Sequence, residues 1–201
     1  MIDFLKQFEG RKAGFSKSTR ESAVMVLFTI KDNTPYLILE ERSHEMRTQP
    51  GEISFPGGRI DKGETPTEAA LRETKEELGI DPDKITIIGE LDYYITHFEM
   101  VLHPILGIYL GELDFKDINP LEVHKVHLID FNYFLETEPT KHGATVGVHP
   151  DENFPIDPYD WRKLSYSINF YQTENILIWG MTANMIKALV DIIKEEPYET
   201  K

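Results

Sequence analysis

Residues 22–30 (SAVMVLFTI) form an almost unbroken apolar run that reads as a buried strand. Asp32-Asn33 supplies a turn, and residues 36–41 (YLILEE) read as the hairpin partner. Residues 42–52 are polar and are expected to be a loop. Ile53-Ser54-Phe55 is a short strand stopped by Pro56-Gly57-Gly58. Strands are expected near residues 85–91 and 101–110, the second of these (VLHPILGIYL) strongly apolar, and over 126–129. The Pro-, Gly- and His-rich stretch 138–158 reads as a long surface loop. Residues 166–170 and 176–179 pattern as a hairpin around Thr173-Glu174-Asn175. Residues 180–196 carry Met181, Met185, Leu189 and Ile192 at helical spacing and predict a final helix. Residues 1–20 mix polar and apolar positions and are expected to form a helix and a lead-in. Strands outnumber helices and alternate irregularly with them, which predicts an α/β (α+β) fold with a mixed sheet between helices.

One further helix has clear boundaries. Thr65 is placed to be its N-cap, Pro66 stands at the first helical position, and Glu68 completes a capping box. Gly79 supplies a left-handed stop. At about 100° per residue, Glu73, Glu76 and Glu77 share one side of the helix, while Thr67, Ala70, Leu71, Thr74 and Leu78 form an adjoining packing stripe. Glu64 stands just before the cap as a fourth acid. Like charges at these spacings cost a few tenths of a kcal/mol per pair, about 0.2–0.5. Divalent cations offset that cost, because Mg²⁺ and Mn²⁺ prefer carboxylate oxygens. Arg72, next to Glu68 and Glu76, is placed to hold a carboxylate in a fixed orientation.

Composition narrows the function classes. The 201 residues suit a single domain (1–201, core about 22–193). There is no cysteine, which excludes disulfides, thiolate metal sites and a Cys nucleophile. No apolar run approaches the roughly 18 residues of a membrane span, and the N-terminus lacks the pattern of a signal peptide. A cytoplasmic protein without a membrane partner is therefore expected. The net charge of -14, from 35 acidic and 21 basic residues, repels nucleic acid. An anionic substrate then needs metal cations or a local basic cluster in order to bind.

Gly58, Glu64, Arg72, Glu73, Glu76, Glu77, Gly79 and Ile80 match the Nudix box, G-x5-E-x7-R-E-U-x-E-E-x-G-U, where U is a bulky aliphatic residue. Thr74, at the first U position, is the one departure, and its cost should be small because it falls on the packing stripe. The chain thus resembles the Nudix hydrolases. The resemblance implies the Nudix fold and Mg²⁺ or Mn²⁺ held mainly by Glu73 and Glu77. Glu76 assists, the Gly57 carbonyl often contributes, and Glu64 and Arg72 support. It further implies that water activated by the metal, with help from a carboxylate, attacks a pyrophosphate in a nucleotide-containing substrate.

Upstream, residues 39–58 (LEERSHEMRTQPGEISFPGG) resemble the signature of the coenzyme A pyrophosphatase subgroup, roughly L-L-T-x-R-S-x-x-L-R-x-H-x-G-x-x-x-F-P-G-G. Arg42, Ser43, Arg47, Gly51, Phe55, Pro56, Gly57 and Gly58 match. Gln49 stands where the signature has histidine, and Glu41 is aligned with its threonine. The ending Ile178-Trp179-Gly180-Met181-Thr182-Ala183 is also similar to that subgroup's. The resemblance implies hydrolysis of CoA or its thioesters to 3′,5′-adenosine bisphosphate and 4′-phosphopantetheine. The alternatives are the same chemistry on ADP-ribose, NADH or a dinucleoside polyphosphate, and a non-catalytic nucleotide-binding protein.

Arg42, Arg47 and Gly58 are the candidate substrate-binding residues, the two arginines as contacts to phosphates or else as surface partners of Glu41, Glu45 or Glu52. Glu122 is a candidate further ligand or general base, with Glu99 as its competitor. His97, His103, His142 and His149 show no metal-binding spacing and are expected to be structural or solvent-facing. Tyr93, Tyr94, Trp161 and Trp179 are expected to pack, and Phe154 and Tyr159 to shape a substrate lid. The family resemblance is also compatible with a homodimer.

Overall fold

The structure, a computed structural model, describes residues 9–10, 20–96, 100–147 and 164–195. Strand β1 (Arg20–Lys31) runs through the middle of the main sheet. Ala23, Met25 and Leu27 enter one core cluster, while Val24, Val26 and Phe28 face the other. Burial on both faces explains why the run is apolar without alternation. The turn at Asp32-Asn33 has positive φ at both residues (49° and 62°), the conformation that suits a two-residue hairpin and that Asn and Asp tolerate. Strand β2 (Thr34–Arg42) returns antiparallel, and Leu37 and Leu39 face away from Ile38 into the second cluster.

Strands β1 and β2 stay paired only from the turn back to Leu27↔Ile38. Beyond that point they splay, and residues 53–59 fill the fork. Strand β3 (Ile53–Ser54) pairs with Glu40 and Glu41 of β2, and strand β4 (Gly57–Arg59) pairs with Ser22 to Val24 of β1. Between them the Met25 amide donates to the Pro56 carbonyl at 2.8 Å. The Pro-Gly-Gly segment therefore does not simply end a strand, as its composition suggests. It passes from one strand of the fork to the other, and this wedge places Gly57 and Gly58 in the sheet.

Strand β5 (Ile85–Glu90) follows helix α1 (Pro66–Leu78), and β6 (Tyr94–Ile95) precedes β7 (Met100–Tyr109). Strand β7 is parallel to β1, and β5 and β6 pair antiparallel with β7. Strand β8 (Val123–Asp130) pairs antiparallel with β2. One parallel pair among antiparallel ones makes the sheet mixed, as expected.

Helix α1 packs Ala69, Ala70 and Leu78 into the cluster holding Met25, Leu27 and Ile105. The short helix α2 (Phe131–Glu136) and helix α3 (Gly180–Lys194) cover the opposite face, with Phe131, Phe134, Ile186 and Val190 buried there. Each fully buried large side chain contributes about 1.5–3 kcal/mol. On α3 the buried stripe runs through Ala183, Met185, Ile186, Leu189 and Val190, whereas Ile192, expected on it, is exposed.

A second sheet joins β9 (Thr140–Val146), β10 (Leu164–Gln172) and β11 (Leu177–Trp179) in the order β11-β10-β9. Strand β9 corrects the surface loop expected over 138–158. Its side chains are almost all exposed, so it carries no hydrophobic signal and is held by backbone pairing with β10. Residues 148–158 of that stretch lie outside the described residues, as does the helix expected over residues 1–20, except for 9–10 and for Arg20, which opens β1. Among the described residues, no helix is long and apolar enough to cross a membrane.

Candidate active site

Helix α1 begins and ends as its sequence dictates. The Thr65 hydroxyl accepts from the Glu68 amide, the Glu68 carboxylate accepts from the Thr65 amide, and Pro66 follows the cap. At the other end Gly79 takes φ 68°, where a side chain would be strained, and its amide donates to the Lys75 carbonyl. Thr74 is fully buried, and its hydroxyl bonds the Ala70 carbonyl at 2.7 Å, which satisfies the polar group that replaces an aliphatic residue. The buried face is rotated toward the acids relative to the expected stripe. Ala69 is buried, and Glu77 is only 4% exposed.

The rotation drives Glu77 into the fork. Its Oε2 accepts from the Gly57 amide at 2.8 Å. Glu73 lies against Gly58 so closely that a Cβ there would sit 2.3 Å from Glu73 Oε1. Gly58 thus leaves room for the Glu73 carboxylate. Gly57 stands at the cluster through its N–H. Glu122 is half-buried, close enough for its charge to act on Glu40, Glu73 and Glu77.

Arg72 organises the rim. Its Nε and Nη2 grip both oxygens of Glu64 at 2.9 and 3.0 Å, and Nη2 also donates to the Arg59 carbonyl. Its Nη1 reaches Glu73 Oε1 at 2.9 Å and Glu76 Oε2 at 3.2 Å. All the guanidinium N–H directions are used, which an ammonium group cannot reproduce. These bonds push the Arg72 pKa further up, the pair with Glu64 most of all, and the same pair holds Glu64 below the usual carboxylate range. Glu76 is 55% exposed, so it stands at the edge of the cluster.

Glu40 is the residue that sequence reasoning missed. It lies on β2, only 1% exposed. Ser54 Oγ donates to its Oε1 at 3.2 Å, and its Oε2 is buried with no hydrogen-bond partner among the described residues. Counted back from Arg42, it is Glu40 that occupies the signature's threonine position, which corrects the alignment of Glu41 there. Burial raises the pKa of both Glu40 and Glu77, and the charges of neighbouring carboxylates raise them further. Glu73 is raised as well, by burial against the opposing effect of Arg72. Buried carboxylates crowded this way are costly without a cation. The orphaned Glu40 oxygen and the space that Gly58 leaves for Glu73 fit a divalent metal with oxygen ligands. Glu73, Glu77 and Glu40 are the residues that would hold it, with Glu122 close by.

A cleft of about 730 Å³ opens beside Gly57, within the size range of small-molecule sites. Arg42, Thr48, Gln49, Glu52, Ile53 and Phe55 form one wall, and Tyr94, Met100, Trp179 and Met181 line it elsewhere. Arg42 lines the cleft, and its buried Nε has no partner among the described residues. Arg47 is exposed, and the neighbouring Thr48 and Gln49 line the cleft. Tyr94 and Trp179 combine packing with lining: Tyr94 donates to the Asn184 carbonyl and Trp179 stacks on Phe170. Tyr93 is exposed and bonds Glu90. His103 is buried against Tyr93, and His142 packs on Phe170, as expected of structural histidines. Glu99, His97, His149, Phe154, Tyr159 and Trp161 lie outside the described residues.

Four acids and an arginine are set against a glycine wedge on a mixed sheet, and Gly57 of that wedge lines the neighbouring cleft. The NUDIX domain model matches residues 19–143, and the chain belongs to that family. It is similar to Nudix hydrolase 15, mitochondrial, of Arabidopsis thaliana, 29% identical over 90% of this chain and 61% of that protein. The uncharacterized Nudix hydrolase NudL of Escherichia coli O6:H1 is also 29% identical, over 97% of this chain and 95% of that protein. The peroxisomal coenzyme A diphosphatase NUDT7 of Mus musculus is 27% identical, over 89% and 72%. The chain thus spans less than two-thirds of the plant relative's length.

Proposed function

We propose that the protein is a Mg²⁺- or Mn²⁺-dependent hydrolase that cleaves the pyrophosphate of coenzyme A or its thioesters. The products would be 3′,5′-adenosine bisphosphate and 4′-phosphopantetheine or its acyl derivative. The observation that carries this reading is the course of residues 42–57, the segment that resembles the coenzyme A subgroup. It forms a wall of the cleft and ends at Gly57, against Glu77. The name of the mouse relative agrees with it.

When bound, the cation supplies a more acidic water and neutralises charge on phosphate oxygens. Glu73, Glu77 and Glu40 would hold it, with Glu76 at the rim, and Arg72 fixes Glu73 and Glu64 in place. Glu122, half-buried beside these acids, is the group assigned to take a proton from the attacking water. Arg42 lines the cleft, where its guanidinium would bind a phosphate oxygen. A single-domain, cytosolic enzyme, without nucleic-acid or membrane partners and compatible with a homodimer, belongs to the same proposal.

A second reading is favoured by one observation. Arg42 is the only Lys, Arg or His lining the cleft among the described residues. Coenzyme A carries a 3′-phosphate that needs a cation of its own, whereas ADP-ribose, NADH and dinucleoside polyphosphates do not carry that group. Mass spectrometry of products from CoA, ADP-ribose and NADH, each with Mg²⁺ or Mn²⁺, separates the readings. Formation of 3′,5′-adenosine bisphosphate from CoA supports the first, and cleavage of another substrate while CoA survives supports the second. No cleavage across the panel would place the chain among non-catalytic nucleotide-binding proteins.

A further inference from the structure

Three histidines that sequence reasoning did not weigh converge on one carboxylate outside the acidic cluster. Glu41 stands at the end of β2. His127 Nε2 lies 3.0 Å from Glu41 Oε2, and His44 Nε2 lies 3.2 Å from Oε1. His124, from the start of β8, sets its ring edge-to-face on His44, with centroids 4.7 Å apart. One ligand atom each from Glu41, His44 and His124 can be chosen so that all three lie within 4.8 Å of one another. We propose that Glu41, His44 and His124 form a second metal site, selective for a transition metal of the Zn²⁺, Co²⁺ or Ni²⁺ kind, with His127 positioning Glu41.

The donor chemistry sets this site apart from the carboxylates. Imidazole suits Zn²⁺, Co²⁺ and Ni²⁺, whereas all-oxygen sites suit Mg²⁺ and Mn²⁺. Two imidazoles and one carboxylate, with a position left for water, is an established Zn²⁺ ligand set. Bonds of about 2.0–2.1 Å in a tetrahedron put ligand atoms roughly 3.3 Å apart. The three donors must therefore draw together by up to about 1.5 Å, which rotation of the two exposed imidazoles can provide. The surrounding framework is held in place. The Ser43 amide donates to the Glu122 carbonyl at 2.7 Å and the Arg42 amide to the Glu52 carbonyl at 2.9 Å, which ties the His44 loop to the start of β8. Gly51 lies against His44, where a Cβ would come within 2.9 Å of the ring.

His127 is largely buried and bonds the Glu41 oxygen that does not face His44. That arrangement leaves Oε1 as the ligand and fixes its direction, the role of an outer partner in metal sites. Glu40 and Glu41 are consecutive in a strand and point to opposite faces. Besides burial, the charges acting on Glu40 come from Arg42, Glu122 and Glu73, and those acting on Glu41 come from His124, His127 and His44. The site does not depend on which substrate the cleft accepts.

Zn²⁺ titration by calorimetry of the full chain, stripped with chelator and then held in excess Mg²⁺, tests the proposal, with Co²⁺ absorption as the spectroscopic probe. One Mg²⁺-resistant equivalent is expected, giving the intense visible bands of tetrahedral Co²⁺. His44→Ala and His124→Ala should each remove the bands and weaken Zn²⁺ by more than about 100-fold, beyond the loss usual for an outer partner. His127→Ala should weaken it about 10–100-fold, and His127→Gln, which keeps an N–H donor, should recover most of the loss. His142→Ala, on the second sheet, should change nothing. Absence of Mg²⁺-resistant Zn²⁺ binding would overturn the proposal. So would a His44→Ala/His124→Ala variant that is folded by circular dichroism and binds Zn²⁺ as the parent does.

Discussion

Replacing Gly58 by alanine separates the site's architecture from the fold that carries it. The new methyl carbon would stand 2.3 Å from Glu73 Oε1 and 2.5 Å from its carboxyl carbon. Gly58 has no positive φ to defend, so the backbone accepts alanine. The clashing group is the end of a flexible side chain, and it yields by leaving its rotamer. The displaced carboxylate loses its 2.9 Å contact with Arg72. That partly exposed pair is worth up to about 1 kcal/mol, and an off-rotamer side chain costs about 0.5–1.5 kcal/mol. The expected destabilisation is therefore about 1–2 kcal/mol. For a chain of this size it corresponds to a fall in Tm of about 2–8 °C. Cation binding should suffer far more, because an inner ligand is expelled: Mg²⁺ affinity and kcat should each fall by about 100-fold or more. Calorimetric Mg²⁺ titration, thermal melts and hydrolysis rates measure these quantities, with Gly89→Ala as control, since a Cβ there meets nothing within 4 Å. Near-parental Mg²⁺ affinity, or loss of cooperative unfolding, would refute the reasoning.

Three other outcomes are expected. Glu40 and Glu77 bind their protons more tightly in the folded chain than in the unfolded one, chiefly because they are buried. The metal-free protein should therefore lose stability as pH rises above the ordinary carboxylate range. Urea unfolding with chelator at about pH 5.5 and about pH 8 should show the loss, and Glu77→Gln should reduce it; stability that rises over that interval in the parent would contradict the burial argument. Thr65→Ala removes the capping box and should cost about 0.5–2 kcal/mol in denaturant melts, with little change in Mg²⁺ affinity. Arg72→Lys keeps the charge but not the fork, and calorimetry should show Mg²⁺ affinity falling about 10–100-fold.

The helix carrying the acids was legible because every signal there is local: the cap, the proline, the glycine stop and the acid spacing lie within a few turns. The expected mixed sheet between helices holds for the same reason, since β1, β2 and β7 announce themselves by apolar runs. What sequence missed depends on contacts between distant segments. Glu40 ends an apolar run and reads as the polar end of a strand; only the wedge of residues 53–59 buries it. The Glu41 histidines meet because β8 pairs with β2, which joins positions 86 residues apart in the case of Glu41 and His127. Strand β9 has no buried side to give a pattern, and β6 is two residues long.

The most direct test of the central claim is cleavage of CoA measured against Mg²⁺ concentration for the parent and for Glu77→Gln. The account predicts saturable, Mg²⁺-dependent release of 3′,5′-adenosine bisphosphate by the parent, and a rate at least about 100-fold lower in a variant that remains folded. Cleavage by the parent without divalent metal, or by Glu77→Gln at the parental rate, would contradict it.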